Sequence, residues 1–427
     1  MAKEKGKVAI VGLGYVGLPL ALLASRKGFE VVGIDINEQK ISLLNERKMP
    51  FVDAKLQKEL LLTKAKFYSD IEKISSAETI VVCVPTPVYD NYLPNLEPVK
   101  GAMDGIAKQL KKGQLVILES TVNPGVSDEV AIPILEQSSG LKVSTDFYFA
   151  HCPERINPGD DKWDVENIPR VVGGSDNQAL KKATTFYEGI LSGSVKPMGS
   201  LKEAEAVKIV ENSFRDINIA FVNELAQSFA HLGIDVVNVI EGAATKPFSF
   251  LAHFPGCGVG GHCIPVDPYY LIEYAKKNGF EHDFLRLARR INNQMPSYAV
   301  SQMVEGLNEA NKSIKGSVIA VLGLAYKSGI DDCRESPAFK IIEELKGLGA
   351  TVRVFDPFVM AKSDVQNLDE ALSGATAVMV TTGHKIFKDL LPDDLSKYKI
   401  KVVVDGRNCL NKDKFRNSKL IYKAIGR

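Results

Sequence analysis

Short apolar segments alternate with stretches of helical spacing along residues 1–198. The first strand, the first helix and the second strand are predicted at Lys7–Leu13, Tyr15–Lys27 and Val31–Ile34. Segments rich in Val, Ile and Leu predict further buried strands at residues 79–84, 114–118, 147–151 and 170–173. Strands that alternate with helices in this way are typical of a parallel sheet with helices on both faces.

The pattern changes in residues 199–310. From Leu201 to about Leu232 the apolar positions follow helical spacing without Gly or Pro, which predicts one long helix. Further helices are predicted at residues 235–243 and 283–308. A region with few strands and one long helix would suit the core of a dimer. The alternation of strands and helices resumes from Ser317, with strands at residues 351–355, 377–381 and 401–404.

The third region repeats the design of the first. Three pairs of segments match: residues 7–15 with 317–326, 31–35 with 352–356, and 81–86 with 377–382. We therefore predict an α/β protein with two Rossmann-like doubly wound domains, at residues 1–198 and 311–427, joined by a helical dimerisation domain at residues 199–310. The alternative is that any two buried strands share a composition rich in Val, Ile and Gly.

The two glycine turns differ between the repeats. The first reads Gly12-x-Gly14-x-x-Gly17, follows a strand, opens a helix and precedes Asp35 at the end of the next strand, as in a dinucleotide-binding fingerprint. The second has Ala325 and a serine where the first has its second and third glycines. Because the extra atoms hinder close approach to a pyrophosphate, the two domains are expected to hold different ligands.

Asp35 indicates which dinucleotide the first turn binds. Its carboxylate would accept hydrogen bonds from ribose hydroxyls and repel a 2′-phosphate. No Arg follows at position 36 or 37, so NAD is favoured over NADP. The alternative is a glycine turn with a purely structural role.

Composition and charge narrow the class of protein. The 53 Lys and Arg residues balance 52 Asp and Glu residues, so the net charge of +1 does not indicate a nucleic-acid partner. Glycines and a proline interrupt the longest apolar stretch, residues 8–24, so no membrane span is predicted. The N-terminal residues show no pattern of a cleavable signal, and the six cysteines form no Cys-x-x-Cys pair. We therefore expect a cytoplasmic protein with reduced thiols.

Residues 256–270, Gly-Cys-Gly-Val-Gly-Gly-His-Cys-Ile-Pro-Val-Asp-Pro-Tyr-Tyr, hold the candidate chemistry. They place Cys263 beside a glycine-rich turn and four residues before Asp267. A nicotinamide cofactor with a nucleophilic thiol can oxidise an alcohol to an aldehyde, trap it on sulfur and oxidise it again to an acid. His262 has no second ligand at metal spacing, so no metal site is predicted.

Taken together, the motifs resemble those of the UDP-glucose/GDP-mannose dehydrogenase family over nearly the whole chain. They occur in this order: Gly12-Leu-Gly-Tyr-Val-Gly17, Val84-Pro-Thr-Pro87, Glu119-Ser-Thr121, Pro153-Glu-Arg155, Ala206-Val-Lys-Ile-Val-Glu-Asn212, Gly260-Gly-His-Cys-Ile-Pro-Val-Asp267, Arg334-Glu-Ser-Pro337 and Asp405-Gly-Arg407. The resemblance implies oxidation of C6 of a nucleotide sugar to the uronic acid with two NAD per turnover. It also implies a homodimer formed through the central helices.

The resemblance assigns catalytic roles to six residues. Cys263 would form the thiohemiacetal and then the thioester, whereas Cys257 lacks this context and is interpreted as structural. The other five would polarise the C6 oxygen, stabilise the oxyanion, handle the hydrolytic water and hold the substrate: Lys208, Asn212, Asp267, Glu154 and Thr121. Lys208 and Asn212 are four residues apart and hence on one helix face. Which carboxylate, Glu154 or Asp267, activates the water is left open.

The resemblance also implies two sets of binding residues. The cofactor set is Gly12, Gly14, Tyr15, Val16, Gly17, Asp35, Pro85, Thr86, Ser120, Thr121 and Arg334. The substrate set is Glu154, Arg155, Lys208, Asn212, Gly260, Gly261, Tyr326, Lys327 and Arg407. A diphosphate needs local cations, which the net charge of +1 does not otherwise supply.

The sequence around two motifs bears on the sugar. Residues 153–159 depart from the UDP-glucose members, and residues 245–267 look most like the UDP-N-acetylglucosamine 6-dehydrogenases. A UDP-N-acetylhexosamine, with UDP-GlcNAc first, is therefore the expected substrate, used to supply surface polysaccharide or glycan precursors. UDP-N-acetylmannosamine dehydrogenases share the cysteine turn and are the main alternative, ahead of UDP-glucose 6-dehydrogenases, single-step hydroxyacid dehydrogenases and a non-catalytic binding protein.

Overall fold

The computed structural model describes residues 5–51, 53–89, 94–156, 162–261 and 263–427. His262 and the turn at residues 157–161 lie outside the described residues. The chain divides into two compact units. The first comprises the described residues of Met1–Glu211 and Tyr269–Asn278, and the second those of Asn212–Pro268 and Gly279–Arg427. The predicted three-domain division at 198/199 and 310/311 stays a prediction.

The first unit contains an eight-stranded sheet in the order β3-β2-β1-β4-β5-β6-β7-β8. Its strands are β1 (Lys7–Val11), β2 (Glu30–Ile34), β3 (Lys66–Tyr68), β4 (Thr79–Val82), β5 (Leu115–Leu118), β6 (Tyr148–His151), β7 (Arg170–Gly174) and β8 (Val195–Pro197). All neighbours are parallel except β6 and β7. The strand order reverses at β1 and β4, which is where ligands bind in doubly wound folds.

The second unit contains a five-stranded parallel sheet in the order β10-β9-β11-β12-β13. Its strands are β9 (Val318–Leu322), β10 (Thr351–Phe355), β11 (Ala377–Val380), β12 (Val402–Asp405) and β13 (Ile421–Ala424). Its order reverses at β9 and β11. Both ends of the chain therefore carry the predicted Rossmann-like sheets.

Helices cover both sheets. The chain forms α1 (Gly17–Arg26), α2 (Glu38–Asn45), α3 (Ala54–Leu62), α4 (Glu97–Ala107), α5 (Ile132–Ser139), α6 (Asn177–Ile190), α7 (Leu201–Leu232), α8 (Val236–Ala244), α9 (Asp267–Lys277), α10 (Asp283–Glu309), α11 (Pro337–Gly347), α12 (Leu368–Leu372), α13 (Lys385–Lys388), α14 (Pro392–Ser396) and α15 (Lys412–Arg416). Single 3₁₀ or π turns occur at Ile71–Ser76, Ser127–Ala131 and Met360–Lys362. Several helices begin after an Asn or Asp whose side chain accepts a first-turn N–H, as Asp176 does for α6.

The strand pattern explains the two faces of each sheet. Val8 and Ile10 point into one apolar core, and Ala9 and Val11 point into the other. In the second sheet Ile319 packs with side chains of α10 on one face, whereas its neighbour Ala320 packs on the opposite face. Nearly continuous apolar strands are required because both faces are buried. Among the described residues, no helix combines the length and apolar character needed to cross a membrane.

The predicted fold class is confirmed. The predicted strands and long helices end within two residues of the observed ones, and α7 has the predicted bounds. The first strand stops at Val11, before Leu13, because Gly12 has φ of +92° and turns the chain out of the sheet after its N–H has donated to the Ile34 carbonyl. The strands β3, β8 and β13 were not predicted, and the helices α2–α6, α9 and α11–α15 were not placed by the sequence.

Candidate active site

The glycine turn after β1 is shaped by two glycines and leaves the third without a packing role. Gly12 has φ of +92°, and a Cβ there would lie 2.7 Å from the Cys83 carbonyl oxygen. A Cβ on Gly17 would lie 1.9 Å from the Gly12 carbonyl oxygen. A Cβ on Gly14 would meet no atom within 4 Å. A close ligand therefore explains this glycine better than the fold does, and the turn fits the pyrophosphate of a dinucleotide.

The first turn of α1 also fits an anion. The residue before this helix, Val16, provides no side-chain cap, and the first turn contains no acidic residue. The N–H groups and the partial positive charge of a helix N-terminus are thus not neutralised by the helix itself. Tyr15 beside the turn is partly exposed and packs on Phe51, with ring centroids 4.3 Å apart.

Asp35 lies at the end of β2, as predicted, and has partners that the sequence did not indicate. Its Oδ2 accepts from the Leu13 N–H at 2.9 Å and from Lys40 Nζ at 2.5 Å, and its Oδ1 accepts from the Asn37 N–H at 3.0 Å. These bonds fix the carboxylate beside the glycine turn. Lys40 was missed because its signal, a cation one helical turn into α2, is common on exposed helices.

The loops after β4 and β5 open at the same sheet edge as the glycine turn, because the strands are parallel. The Ser120 hydroxyl donates to the Val84 carbonyl at 2.7 Å, and the Thr86 carbonyl accepts from the Tyr270 hydroxyl at 2.6 Å. Pro85 and Thr121 lie in the same loops; Pro85 is exposed and Thr121 is half-buried. The structure thus brings most of the predicted cofactor set to one edge of the first sheet.

Three charged side chains are buried beyond β5 and β6. Glu154 is 8% exposed and lies 3.6 Å from a guanidinium nitrogen of Arg170, which also lies 3.7 Å from Glu119. Burial raises the pKa of Glu119, whose carboxylate accepts from the Tyr187 hydroxyl. Burial lowers the pKa of Arg170, but the two carboxylates outweigh it and the pKa is raised. Arg170 was predicted only as the first residue of a strand.

Arg155, predicted to bind substrate, has its guanidinium engaged by the protein. It pairs with Glu211 on α7, and its Nη1 donates to the Pro169 carbonyl at 2.9 Å. Lys208 belongs to the same unit and is half-buried on α7. The substrate contacts of Arg155 and Lys208 stay predictions.

In the second unit, Cys263 lies on the turn that leads into α9. Its carbonyl accepts from the N–H groups of Val266 and Asp267 at 3.1 and 2.8 Å, and its side chain is exposed. The Asn212 amide donates to Asp267 Oδ2 at 2.5 Å, and both of these side chains are buried. Cys257 is buried and burial raises its pKa, in keeping with a structural thiol.

The double glycine before Cys263 packs on Tyr326. A Cβ on Gly260 would lie 2.7 Å from the Tyr326 Cβ, and a Cβ on Gly261 would lie 2.9 Å from its ring. The Gly261 N–H also donates to the Arg334 carbonyl at 3.0 Å. The structure therefore brings the predicted substrate residues 260, 261 and 326 together, and these glycines are required by this packing.

Arg407 lies against the start of the same segment. Its Nε donates to the Thr381 carbonyl at 2.8 Å, and its Nη1 donates to the Gly258 carbonyl at 3.3 Å. Lys327 is half-buried in the loop after β9, whereas the Arg334 guanidinium pairs with Asp332 at 2.6 Å. Arg407 and Lys327 thus belong to the same unit as Cys263, as does Arg334, which was predicted to lie near the cofactor.

The glycine turn of the second sheet is closed by its own acid. Asp356, at the end of β10, accepts from the N–H groups of Leu324 and Ala325 at 2.6 and 2.8 Å and from His384 Nε2 at 3.1 Å. Burial acts to raise the pKa of Asp356, but the hydrogen bonds lower it to about 2. The Gly329 N–H donates to the other ring nitrogen of His384. This turn therefore differs from the first in its chemistry, as the sequence indicated.

An open glycine turn beside a fixed carboxylate is typical of a domain that binds NAD, and the closed turn of the second sheet is expected to hold a different ligand. Family models of the UDP-glucose/GDP-mannose dehydrogenase family match the NAD binding domain at residues 6–191, the central domain at 202–294 and the UDP binding domain at 320–412. The chain belongs to this family and is an NAD-dependent UDP-sugar dehydrogenase.

Two relatives named for different substrates have the same sequence identity to this chain. The chain is 37% identical to the UDP-N-acetyl-D-mannosamine dehydrogenase of Pyrococcus horikoshii, over 99% of both chains. It is 37% identical to the UDP-N-acetyl-D-glucosamine 6-dehydrogenase of Pseudomonas aeruginosa, over 92% of this chain and 93% of that protein. The solved structure of the Pyrococcus horikoshii UDP-D-ManNAc dehydrogenase matches with a TM-score of 0.93 at 36% identity, over 99% of both chains. The predicted family, cofactor and class of reaction are confirmed.

Proposed function

We propose that this enzyme oxidises C6 of a UDP-N-acetylhexosamine to the carboxylate in two steps, with Cys263 as the nucleophile. The observation that carries the proposal is the state of the thiols. Of the six cysteines, all of them within the described residues, only Cys263 is exposed. A nucleophile must be accessible to its substrate, whereas a buried thiol has a raised pKa and is inert.

In the proposed reaction, the residues of this chain supply the covalent and proton-transfer chemistry. NAD, when bound, accepts a hydride in each of the two oxidations. The Cys263 thiolate adds to the C6 aldehyde, and loss of hydride from the resulting thiohemiacetal leaves a thioester. Water then adds to the thioester carbon, the C–S bond breaks and the thiol is regenerated. The net change is one alcohol and one water converted to a carboxylate, with two hydrides transferred to NAD and three protons released.

The roles of the other residues follow from their charge and bonding. Lys208 would stabilise the C6 oxyanion in the tetrahedral stages by its ammonium charge. The Asn212 amide would donate to the same oxygen, and its bond to buried Asp267 holds it in one orientation. Glu154 would accept a proton from the hydrolytic water, and Thr121 would help to hold that water.

Two sugars compete as the substrate. The residues around the cysteine turn favour UDP-GlcNAc, whereas the Pyrococcus horikoshii relative, which aligns over 99% of both chains, is a UDP-N-acetyl-D-mannosamine dehydrogenase. UDP-GlcNAc and UDP-ManNAc are therefore both candidate substrates, and they differ only in the configuration at C2. Polysaccharide precursor synthesis in the cytoplasm is the proposed setting.

The test is the yield of NADH per sugar. The purified enzyme is incubated with NAD and, separately, UDP-GlcNAc, UDP-ManNAc, UDP-GalNAc and UDP-glucose. We expect two NADH per acid formed and the highest kcat/KM with one of the first two. Cys263→Ala should abolish acid formation, whereas Cys257→Ala, which removes a thiol from the same segment, should keep the yield of two. A yield of one, or acid formation by Cys263→Ala, would refute the thioester route.

We also propose a homodimer formed through the central helices. The middle of α7 exposes Phe214 and Phe221, and the loop after α8 exposes Phe248 and Leu251. Large apolar side chains clustered at a surface are typical of an interface. Phe221→Glu should shift the mass measured by light scattering from dimer to monomer. The control is Phe358→Glu, which changes an exposed aromatic residue in the loop after β10 and should leave the mass unchanged. A wild-type monomer would refute the dimer.

A further inference from the structure

The ion cluster beyond β6 contains one cation for two carboxylates. The side chains of Arg170 and Glu119 are fully buried, and that of Glu154 is 10% exposed. The antiparallel pairing of β6 and β7 continues toward Glu154 and Arg170, which explains why these residues meet. A buried carboxylate without a cation would take up a proton, since burial disfavours the charged form.

The distances show how Arg170 acts. Its Nη1 is 3.6 Å from Glu154 and 3.7 Å from Glu119, beyond a good hydrogen bond, whereas it donates to the Pro153 carbonyl at 3.5 Å. The effect on the two carboxylates is therefore mainly that of charge. An opposite charge at such a separation favours the ionised form of a carboxyl group.

The two carboxylates are not equivalent. Glu119 is fully buried, its pKa is raised by burial, and its carboxylate accepts from the Tyr187 hydroxyl and lies near the Cys83 thiol. The Glu154 side chain is the one of the two that is partly accessible to solvent, and its Oε1 accepts from the Ile156 N–H. Complete burial thus disfavours the charged form of Glu119, whereas the Glu154 side chain keeps some contact with solvent beside the charge of Arg170.

We propose that Arg170 is a positioning residue that keeps the Glu154 carboxylate ionised for its role as the base in thioester hydrolysis. This inference rests on the proposed function. In that step Glu154 accepts a proton from water while the water oxygen bonds to the thioester carbon, and the C–S bond then breaks. A protonated Glu154 cannot accept, so the hydrolysis rate must fall at low pH. Without Arg170 this fall should begin at higher pH.

The experiment follows the covalent adduct on Cys263 in a single turnover. Enzyme in excess over UDP-GlcNAc, and in a second series UDP-ManNAc, is mixed with NAD and quenched over time at pH 5 to 9. Intact-protein mass gives the rate at which the thioester disappears. The acid limb is the fall of this rate at low pH. We expect Arg170→Met to move the midpoint of the acid limb to a higher pH, by about one pH unit or more, and Arg170→Lys to move it by less. Glu154→Gln should remove the limb.

The control is Glu119→Gln, which removes the other carboxylate of the cluster and leaves the Arg170–Glu154 pair. In this variant the midpoint of the acid limb should stay at the same pH or move to a lower pH. If Arg170→Met fails to fold, Arg170→Lys, which keeps the buried charge, still tests the direction. An unmoved limb in the Arg170 variants, an equal upward shift in Glu119→Gln, or a retained limb in Glu154→Gln would overturn the inference. Absence of any adduct in the wild type would instead refute the proposed function.

Discussion

Asp35 and Asp356 occupy equivalent positions in the two sheets and bind different partners. Each ends the strand next to the one that carries the glycine turn. Asp35 accepts from one N–H of its turn and from Lys40, whereas Asp356 accepts from two N–H groups of its turn and from His384. The first turn can therefore donate N–H groups to a ligand, whereas two N–H groups of the second turn already donate to Asp356.

His384 should control the loop that carries Tyr326 and Lys327. One ring nitrogen bonds to Asp356, which holds the start of this loop, and the other accepts from the Gly329 N–H in its middle, so the ring links these two parts of the loop. His384→Phe keeps the ring and its stacking on Phe358 but loses both bonds. We expect the KM for the UDP-sugar to rise about 10-fold, as for the loss of one or two buried hydrogen bonds, with the KM for NAD unchanged. Steady-state kinetics with each substrate varied distinguish the two effects, and equal changes in both KM values would contradict this role.

Asp35→Ala should weaken NAD binding. The substitution removes the acceptors proposed for the ribose hydroxyls and leaves Lys40 without its carboxylate partner, so we expect a roughly 10- to 100-fold higher Kd. Calorimetric titration with NAD measures it. The control is Asp176→Ala, which removes the cap of α6 in the same unit and should cost about 1 kcal/mol of stability without changing the Kd. Unchanged NAD affinity in Asp35→Ala would show that the ribose contact is misplaced.

Gly14→Ala and Gly17→Ala form a matched pair in one turn. The new methyl of Gly14→Ala meets no protein atom, so the fold should keep its Tm while NAD binding falls at least about 10-fold, because the methyl occupies the path of the pyrophosphate. The methyl of Gly17→Ala would collide with the Gly12 carbonyl, so this variant should lose Tm. Thermal unfolding and NAD titration of both variants give the comparison. Full NAD affinity in a folded Gly14→Ala protein would exclude this binding mode.

The sequence predicted the elements that follow from the spacing of apolar residues. It missed the contacts between residues that are far apart in the sequence. Apolar runs and helical spacing placed the strands and α7, because both faces of the sheets and one face of the helices must be buried. The three-residue strands β3 and β8 are too short to show a period. Arg170 and His384 each meet carboxylates from other strands, and no spacing in the chain encodes such a meeting.

The motifs predicted which residues carry the chemistry but not how the protein holds them. The bond between Asn212 and Asp267 joins α7 to the start of a helix that was not predicted. The engagement of Arg155 by Glu211 likewise could not be inferred, because both residues are ordinary surface charges by pattern. Glycines gave the clearer signal, since Gly260 and Gly261 are explained by one neighbour, Tyr326.

Glu205 on α7 should make the first unit less stable as the pH rises. Its carboxylate accepts from the N–H groups of Gly125 and Ser127, yet burial raises its pKa to about 7. Because the folded pKa lies above that of an exposed glutamate, the folded state holds the proton between about pH 4.5 and 7. Stability from this group is therefore complete below pH 4.5 and is lost as the pH rises through 7, by about 3 kcal/mol.

Glu205→Gln isolates this contribution, because glutamine stays neutral and can still accept one of the two N–H bonds. The Tm of the wild type, followed by circular dichroism from pH 5 to 8, should fall more steeply than that of the variant, so that the two curves converge or cross near pH 7. Glu203→Gln changes an exposed carboxylate on the same turn of α7 and should run parallel to the wild type. Parallel curves for Glu205→Gln as well would mean that Glu205 is ionised throughout this range, held by its two backbone N–H groups.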